Sequence, residues 1–512
     1  MLSLLNTLII EPKNQLRKVF SLFKYTFIEF ITKRLPGLMI PLLILLVLST
    51  AGCGGGGGST PVTENPSETE ISPGKIQQLK RVTKDGITWT FKDIAPVGQF
   101  VNGDFYVVGP VTVIDINPLP TKTNGRHGSV LNMPGNKNDI SPFDSRTVSG
   151  RYKPEYRIYP PFEMKPGDTL ISSISINRKG DYQPWLREGN NETPESFVRS
   201  VSILTCLEER VSADAFRPAY VDRAQRIYYA HDLRRNLLRN LPKVANSPDI
   251  NSLAAHYRRP WLETCFYGFD AAVEYQAAYG RETGRAIGMA TLLLMLDYTE
   301  VEKEALLINV VQYGIDLWGI ARAEYPGWIA HGGHGSGRKW PIVFAGLMLG
   351  DTQMQKPSQT YPNLKFGEDM HTAYANCWTG AKAVYTGHMG VWNGQPVSNL
   401  PHWGPYEHIH PSQWQSTFKN VDRYHIGEDY RRSCTSIAWV GQALAARIMD
   451  AEDLWNHDPF FAYVDRWMTE DDTQHVVDIL EATGRDYSAG WQRQGQAWDK
   501  FVNNMWTSYR NN

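Results

Sequence analysis

Histidines are the residues of this sequence whose number and spacing most suggest chemistry, since nine of the thirteen lie between positions 331 and 457. The first group lies in GWIAHGGHGSGRKWP, where glycines flank His331 and His334. Glycine lets a ligand approach the main chain closely, and an arginine next to a lysine suits a carboxylate or a sulfate. We therefore predict an anion site here, with His334 as a catalytic candidate; a loop whose glycines only serve turns is the alternative. The substrate-binding candidates of this group are Arg338, Lys339 and Trp340.

Two shorter groups add candidates for proton transfer. In FGEDMHTAYANCW, His371 and Tyr374 would share one face of a helix and could present a base and an acid to one pocket. A solvated helix start with an acidic first turn explains the same residues. In YHIGEDYRR, Tyr430 is a catalytic candidate and Arg431 a substrate-binding candidate, while Asp429 also fits a helix cap.

A further group, PHWGPYEHIHPSQW, mixes histidines with aromatic residues. Alternation in HIH places His408 and His410 on the same side of an extended segment, within reach of one metal ion or one ligand. With His402 they are the candidate metal ligands, but the sequence has no HExxH or comparable signature. The sequence therefore predicts no required cofactor and leaves a divalent metal open. The group also contains the catalytic candidates Tyr406 and His408 and the substrate-binding candidate Trp403.

Helical periodicity dominates the chain from residue 194 to residue 510. Apolar residues recur every three or four positions in residues 195–211, 224–242, 284–298, 302–321 and 431–449. Thr299 followed by Glu302 has the form of a capping box at the start of one of these helices. Long loops rich in Gly, Trp and His separate the helices, which favours paired helices curled into an α/α toroid over a bundle with tight turns. We predict that residues 194–510 form this all-α toroid and carry the catalytic site.

Short alternating runs of apolar residues occupy the region before the helices. Residues 87–91, 105–116 and 169–176 alternate or carry β-branched side chains, with turns rich in Pro and Gly between them. This pattern predicts a β-sandwich over residues 76–188. The predicted fold class is therefore multidomain α and β, with an N-terminal β-sandwich followed by a large all-α (α/α) toroid. The sandwich would brace the toroid, or bind carbohydrate through Trp89, Tyr106 or Tyr156.

The N-terminus carries features of an export signal. An apolar run at residues 39–48 follows several basic residues and leads through small residues to Cys53, and it is too short to span a bilayer. This arrangement resembles a bacterial lipoprotein signal peptide, which would occupy residues 1–53 and make Cys53 the lipid-bearing residue. A buried hairpin or an anchor helix is the alternative. Residues 54–75, rich in Gly, Ser, Pro and Glu, predict a flexible tether.

The resemblance to lipoproteins implies an extracytoplasmic protein. Its body would be lipid-anchored to a bacterial membrane, at the outer membrane or the cell surface. The other four cysteines lack CxxC spacing, which excludes a zinc ribbon and a thioredoxin motif. Two disulfides and four buried thiols are both compatible with their apolar surroundings.

Charge and motifs exclude several classes of function. Fifty-two Lys and Arg residues against 53 Asp and Glu residues leave a net charge of -1, so no global positive field exists to hold nucleic acid. The sequence contains no GxSxG or nucleotide-binding motif, so acyl transfer and kinase activity have little support. Its aromatic content of 12%, with 16 Trp and 25 Tyr, suggests ring faces for flat or sugar-like ligands, although a large core also uses aromatic residues.

The predicted helical body with Trp- and Tyr-rich loops resembles the helical-toroid carbohydrate-active enzymes, particularly polysaccharide lyases of bacterial surface lipoproteins. The resemblance implies a surface-tethered lyase that cleaves an acidic, uronate-containing polysaccharide by β-elimination. In such lyases a cationic or amide group offsets the uronate carboxylate, a His or Tyr removes the C5 proton, and a Tyr or His protonates the leaving oxygen. By residue type, the neutralising candidates are Arg338, Lys339 and Asn376, the bases His334, His371 and His408, and the acids Tyr406, Tyr374 and Tyr430.

Two other functions remain open at this point. An inverting glycoside hydrolase needs two carboxylates roughly 6.5–9.5 Å apart, one of them kept protonated. The candidate carboxylates are Asp316, Asp351, Glu368, Asp369, Glu407 and Asp429. A non-catalytic, glycan-binding surface lipoprotein would instead use its aromatic residues for stacking and its histidines for structure.

Overall fold

The computed structural model describes residues 67–137, 140–146, 150–177, 186, 197–263, 273–277, 279–387, 407, 410–414, 427–484 and 491–511. In this part of the chain a β-sheet comes first and a mainly helical part follows. Residue contacts group Asn65–Asn512 into one unit. None of the described helices is both long enough and apolar enough to cross a membrane.

Eight strands form one sheet in the N-terminal part. They are β1 Gln77–Lys84, β2 Ile87–Gln99, β3 Phe105–Val108, β4 Val111–Asn117, β5 Ser129–Leu131, β6 Phe162–Met164, β7 Thr169–Ser175 and β8 Val198–Leu207. Their order is β5-β7-β8-β3-β2-β4-β6, and β1 pairs with β2 beside this path. Neighbouring strands are antiparallel except β3 and β8, which run parallel with Phe105 opposite Leu204.

Two predictions for this region are wrong. The predicted β-sandwich is a single sheet, because its strands are hydrogen-bonded in one continuous order. The helix predicted over residues 195–211 contains β8, whose side chains are almost all buried. Val201 and Ile203 join the core that includes the helices, whereas Leu204 and Cys206 belong to the core on the other face of the sheet. A strand buried on both faces loses its polar alternation, so its apolar spacing resembles that of a buried helix.

Helices and four short strands make up the rest of the described chain. The helices are α1 Ile250–Tyr257, α2 Gly280–Leu294, α3 Glu300–Arg322, α4 Lys339–Leu349, α5 Pro357–Thr360, α6 Gly367–His371, α7 Gly427–Tyr430, α8 Ser436–Ile448, α9 Glu452–Trp455, α10 Asp458–Thr469, α11 Thr473–Thr483 and α12 Lys500–Tyr509. A π-helical turn, Arg431–Thr435, joins α7 to α8. The short strands pair as β9 Gly327–Trp328 with β10 Lys365–Phe366, and as β11 Thr372–Tyr374 with β12 Ala383–Tyr385.

The α/α toroid predicted from the sequence is also wrong. Helix α2 packs on α8, whereas α3 packs on α4 and α1. Several other helices are single turns with short strands between them. These elements do not form a ring of repeated helix pairs. The spacing of apolar residues located the long helices but carries no information about how those helices pack.

Three of the predicted helices are confirmed. Residues 284–298 and 302–321 fall largely in α2 and α3, and residues 431–449 form the π-helical turn and α8. The capping box is present at the start of α3, where Thr299 N donates to Glu302 Oε2 at 2.8 Å and Glu302 N donates to Thr299 Oγ1 at 3.3 Å. Local sequence decided these helices because their apolar spacing favours a helix, and in α3 the capping box adds to it.

The helix predicted over residues 224–242 is wrong. This segment contains two single 3-10 turns, Ala230–Asp232 and Arg235–Leu237. Its main chain bonds to distant segments instead: Arg234 N donates to Met348 O at 2.7 Å and Leu241 N donates to Met295 O at 2.9 Å. Tertiary hydrogen bonds thus satisfy the main-chain groups that a helix would have paired locally.

The described cysteines are thiols rather than disulfides. Cys206 and Cys377 are buried and Cys434 is half-buried, and all three are free. Because three of the four are unpaired, the arrangement with two disulfides is wrong. Cys265 lies outside the described residues, as do the lipidation candidate Cys53 and the whole predicted signal of residues 1–53.

Candidate active site

The glycine-rich loop of residues 331–338 is packed inside the protein between β9 and α4. A Cβ atom on Gly333 would lie 2.3 Å from Cys434 O, and one on Gly335 would lie 2.3 Å from Ile329 O. Such distances are far below van der Waals contact, so only glycine allows the loop to touch these main-chain atoms. The glycines serve packing against the protein itself.

Two histidines of this loop lie beside two tyrosines from two other segments of the chain. The Tyr279 ring lies edge-on to His334 with 4.7 Å between ring centroids, and His331 lies 5.2 Å from His334. Gly333 N donates a 2.6 Å hydrogen bond to Tyr279 Oη. The Tyr430 ring packs on Gly332, where a Cβ atom would lie 2.5 Å from the ring. We call Tyr279, His331, His334 and Tyr430 the His–Tyr cluster.

The secondary structure explains why these side chains meet. Tyr279 immediately precedes α2, and Tyr430 is the last residue of α7, where the π-helical turn begins. Single π-helical turns within helices occur frequently at functional sites. Packing of α2 on α8 therefore places both tyrosines beside the loop that carries the two histidines.

The members of the cluster differ in their exposure. His331, His334 and Tyr430 are half-buried, whereas Tyr279 is buried. Burial raises the pKa of Tyr279 well above its usual value, so its phenol keeps its proton. An imidazole exchanges protons near neutral pH, and a phenol can donate one to a developing alkoxide. The half-buried members therefore have the chemistry for general acid and base catalysis.

Cys434 and Arg281 lie next to the cluster. The Cys434 thiol interacts with Tyr279, and burial raises its pKa to about 11, so it is a poor nucleophile at neutral pH. The Arg281 guanidinium lies 5.8 Å from the centroid of the Tyr279 ring. Its Nε donates to Glu282 Oε1 at 2.6 Å and its Nη1 donates to Ser433 O at 2.7 Å. Arg281 is thus a cation held close to the cluster.

The predicted anion-binding residues are engaged elsewhere. Arg338 Nη2 lies 3.2 Å from Glu263 Oε2, and Arg338 Nη1 donates to the carbonyl oxygens of His334 and Ser336. Lys339 is fully buried and pairs with Asp369. Trp340 is buried and donates from Nε1 to Thr291 Oγ1 at 2.9 Å. A substrate carboxylate would have to displace an internal carboxylate to reach either cation.

Both ring nitrogens of His371 face main-chain carbonyl oxygens, and the neutral ring donates its one N–H to one of them. Nε2 lies 2.7 Å from Gly332 O and Nδ1 lies 2.8 Å from Gly387 O. The ring is fully buried, and burial lowers its pKa to about 4. His371 therefore packs against the glycine-rich loop at Gly332, and neither of its ring nitrogens faces a substrate.

The prediction that His371 and Tyr374 share one face of a helix is wrong. Helix α6 ends at His371, and the chain enters β11 at Thr372. Tyr374 is 60% exposed on that strand, whereas His371 is buried. Helix spacing therefore does not apply to this pair.

Arg431 belongs to a buried network of ion pairs rather than to an open surface. It is 3% exposed, and its Nη2 lies 2.9 Å from Glu428 Oε1. Arg432 pairs with the same carboxylate and with Asp472. This network holds the π-helical turn that follows Tyr430 in place. Arg431 therefore bonds carboxylates of the protein and is not free to bind a substrate.

The carboxylates considered for a hydrolase are also partnered. All six candidates accept a hydrogen bond from another side chain. The pairs are Asp316 with Arg217, Asp351 with Tyr228, Glu368 with Gln442, Asp369 with Lys339, Glu407 with Arg466, and Asp429 with Trp491. Each candidate acid is thus bonded to a group of the protein itself.

Two of the three candidate metal ligands, His402 and His408, lie outside the described residues. The catalytic candidate Tyr406 and the substrate-binding candidate Trp403 lie outside them as well. His410 is exposed, and its Nδ1 lies 2.9 Å from Ser412 Oγ. In the part of the chain that the structure describes, no three His, Cys, Asp or Glu side chains are grouped to hold a metal ion.

Sequence reasoning missed Tyr279 and Arg281. The two residues lie on either side of Gly280, the first residue of α2, and neither belongs to a recognisable motif. Their place beside the histidines depends on where that helix begins and packs. No family model, no curated protein and no solved structure matches this chain.

Proposed function

We propose that the protein cleaves an acidic, uronate-containing polysaccharide by β-elimination, with the His–Tyr cluster as its catalytic site. The observation that carries the proposal is the meeting of two imidazoles and two phenols around Gly332 and Gly333. Elimination needs a base, an acid and a positive charge near one sugar ring, and this neighbourhood supplies each of them.

In the proposed reaction His334 removes the proton at C5 of the uronate. The electrons of that C–H bond form a double bond between C4 and C5, and the bond from C4 to the glycosidic oxygen breaks. Tyr430 gives its proton to the leaving oxygen. Arg281 offsets the substrate carboxylate, for which it would exchange its internal partner Glu282, and this neutralisation makes the C5 proton acidic enough to remove.

A hydrolase has less support in this structure. Hydrolysis with inversion needs two carboxylates that face one sugar, and the described candidates are bonded within the protein. The half-buried groups in the His–Tyr cluster are imidazoles and a phenol, which suit proton transfer without a carboxylate pair.

Digestion of uronate-containing and neutral glycans tests the proposal directly. β-Elimination produces an unsaturated uronate that absorbs ultraviolet light, together with new reducing ends. Reducing ends without the absorbance would instead indicate a hydrolase. Binding without any cleavage across the panel would indicate a glycan-binding protein.

We expect His334→Ala and Tyr430→Phe each to lower the rate of elimination by about 10²–10⁴-fold, because each removes a proton-transfer group. The rate is measured by ultraviolet absorbance, and the melting temperature checks that each variant folds.

Matched controls are His231→Asn and Tyr361→Phe. His231 is exposed and pairs with Asp214, and the Tyr361 ring packs near Trp318. Both controls should keep the rate of the unmodified protein. Near-normal rates in both His334→Ala and Tyr430→Phe would remove the cluster from the mechanism.

A further inference from the structure

The loops between β4 and β6 gather cations around one buried carboxylate. Asp144 has no exposed side-chain surface, and it accepts hydrogen bonds from Arg126 Nη1 at 3.1 Å and from Arg146 Nη2 at 2.8 Å. Arg157 Nη2 donates to Arg126 O at 2.6 Å, which places a third guanidinium beside this pair. Lys122 and Arg157 both lie over the ring of Tyr159. We call Lys122, Arg126, Asp144, Arg146 and Arg157 the arginine cluster.

Arg157 is the buried cation of the cluster that makes no direct bond to a carboxylate of the described residues. It is 8% exposed, and it donates from Nη1 to the Tyr152 hydroxyl at 2.7 Å. Its Nε is buried and has no hydrogen-bond partner in the described part of the chain. Its partners are a hydroxyl and a carbonyl oxygen, which carry no full charge. Asp144 attracts Arg157 electrostatically but bonds Arg126 and Arg146 directly, so a further negative charge would be stabilised beside Arg157.

The balance of charge within the cluster supports this interpretation. The cluster as defined contains four cations and one carboxylate, and Arg126 and Arg146 bond that carboxylate directly. His127 lies beside them, and its pKa is lowered by burial and by Arg126 and Arg157. Its Nδ1 accepts a hydrogen bond from Ser175 N at 3.1 Å, so the ring adds no charge of its own.

Two tyrosine rings flank the cations. Lys122 Nζ lies 4.8 Å and the Arg157 guanidinium 5.5 Å from the centroid of the Tyr159 ring, and Arg157 lies 6.0 Å from that of Tyr152. Both rings are half-buried, so each keeps an accessible part. Aromatic faces stack on sugar rings, whereas arginine side chains bind carboxylates and sulfates in a bidentate manner.

We propose that the arginine cluster binds the carboxylate or sulfate group of an acidic oligosaccharide. The site belongs to the loops of the β-sheet and shares no residue with the His–Tyr cluster. The sugar part of the inference rests on the proposed function, whereas the binding of an oxyanion does not.

Calorimetric titration of the full-length His334→Ala variant tests the inference without cleavage of the ligand. The probes are a uronate-containing oligosaccharide, a sulfated oligosaccharide, a neutral oligosaccharide of equal length and inorganic sulfate. We expect both acidic oligosaccharides to bind, the neutral one to bind at least about tenfold more weakly, and the affinity to fall as salt is added.

Substitutions in the His334→Ala background locate the site. We expect Arg157→Gln to weaken binding of the acidic oligosaccharides about tenfold or more, and Lys122→Gln, at an exposed position, about twofold to fivefold. Lys92→Gln changes an exposed lysine of β2 outside the cluster and should leave the affinity unchanged.

Equal affinity for the acidic ligands in all three variants would overturn the inference, even if Arg157→Gln alone proved unstable. Binding of inorganic sulfate but of neither acidic oligosaccharide would overturn the glycan assignment. Binding that depends on Lys122 and Arg157, in a protein that cleaves no glycan, would support the arginine cluster and contradict the proposed lyase. Failure of the binding site and failure of the lyase proposal can therefore be told apart.

Discussion

Individual cations that look available in the sequence are neutralised by partners from distant segments. Arg338 pairs with Glu263, which lies 75 residues away, and Lys339 pairs with Asp369, which lies 30 residues away. A buried cation without a counterion is strongly destabilising, so such pairs are expected wherever these side chains leave the surface. Residue type therefore predicted that this region carries charge, but not that the charge was already compensated.

Glu428 shows how strongly one such pairing depends on pH. Burial alone would raise the pKa of its carboxyl, but Arg431 and Arg432 outweigh this effect and hold the pKa at about 2. A carboxylate whose pKa is lower in the folded state stabilises the protein above the pKa of the unfolded chain, near 4.5. That stabilisation is lost as the pH falls from there toward 2.

We expect Glu428→Gln to lower the free energy of unfolding by about 3–5 kcal/mol at neutral pH, because it leaves two buried arginines without this counterion. The difference from the unmodified protein should shrink as the pH falls below about 4.5, since protonation of Glu428 produces the same loss. Urea unfolding at a series of pH values measures both quantities. Glu481→Gln, at an exposed position, is the control, and a difference that stays constant with pH would contradict the role of the ion pairs.

At the scale of elements, the contact of α2 with α8 determines the geometry of the candidate site. Gly288 and Gly441 let the two main chains touch, and a Cβ atom on Gly288 would lie 2.9 Å from Gln442 N. The small residue at Gly441 is a sequence signal for close helix contact. It could not name the partner helix, because a small residue permits contact with any neighbour.

We expect Gly288→Ala to lower the free energy of unfolding by about 1–3 kcal/mol, because the added methyl group forces the main chains of α2 and α8 apart. Gly284→Ala, one turn earlier in α2, is the matched control. Its Cβ atom would meet its nearest neighbour at 3.7 Å, an ordinary contact, and alanine favours helix by about 1 kcal/mol. Chemical denaturation compares the two variants, and equal stability would show that the helices do not pack this closely.

At the scale of the whole molecule, a buried ionic network joins the sheet to the helical part. Arg217 Nε lies 2.6 Å from Asp104 Oδ2, and Arg217 Nη2 lies 2.6 Å from Asp316 Oδ2 in α3. Both Arg217 and Asp104 are inaccessible to solvent. Strand β8 adds to this connection, since side chains on its two faces belong to different hydrophobic cores.

A fragment of residues 76–188, the predicted β-sandwich, should therefore fail to fold alone. It lacks β8, which lies between β7 and β3, so its removal divides the sheet into β5-β7 and β3-β2-β4-β6 and leaves β7 and β3 as open edges. We expect the fragment to show no cooperative thermal transition by circular dichroism, whereas residues 67–511 should melt cooperatively. A sharp transition and dispersed amide resonances in the isolated fragment would contradict the observed strand order.

The sequence by itself determined the features that depend on neighbours within a few positions. These are the long helices α2, α3 and α8, the capping box of Thr299 and Glu302, several strands of the sheet, and the concentration of histidines around His331 and His334. Helical and strand periodicities are local properties, so they can be recognised without knowledge of the fold.

Only the tertiary structure decided that the strands form one sheet, that the helices do not form a toroid, and which polar groups remain half-buried. It also placed Tyr279 and Tyr430 beside the histidine loop and turned His371 toward main-chain oxygen atoms. The physical reason is that burial, ion pairing and strand order arise from contacts between residues that are tens to hundreds of positions apart. No periodicity along the chain encodes those contacts.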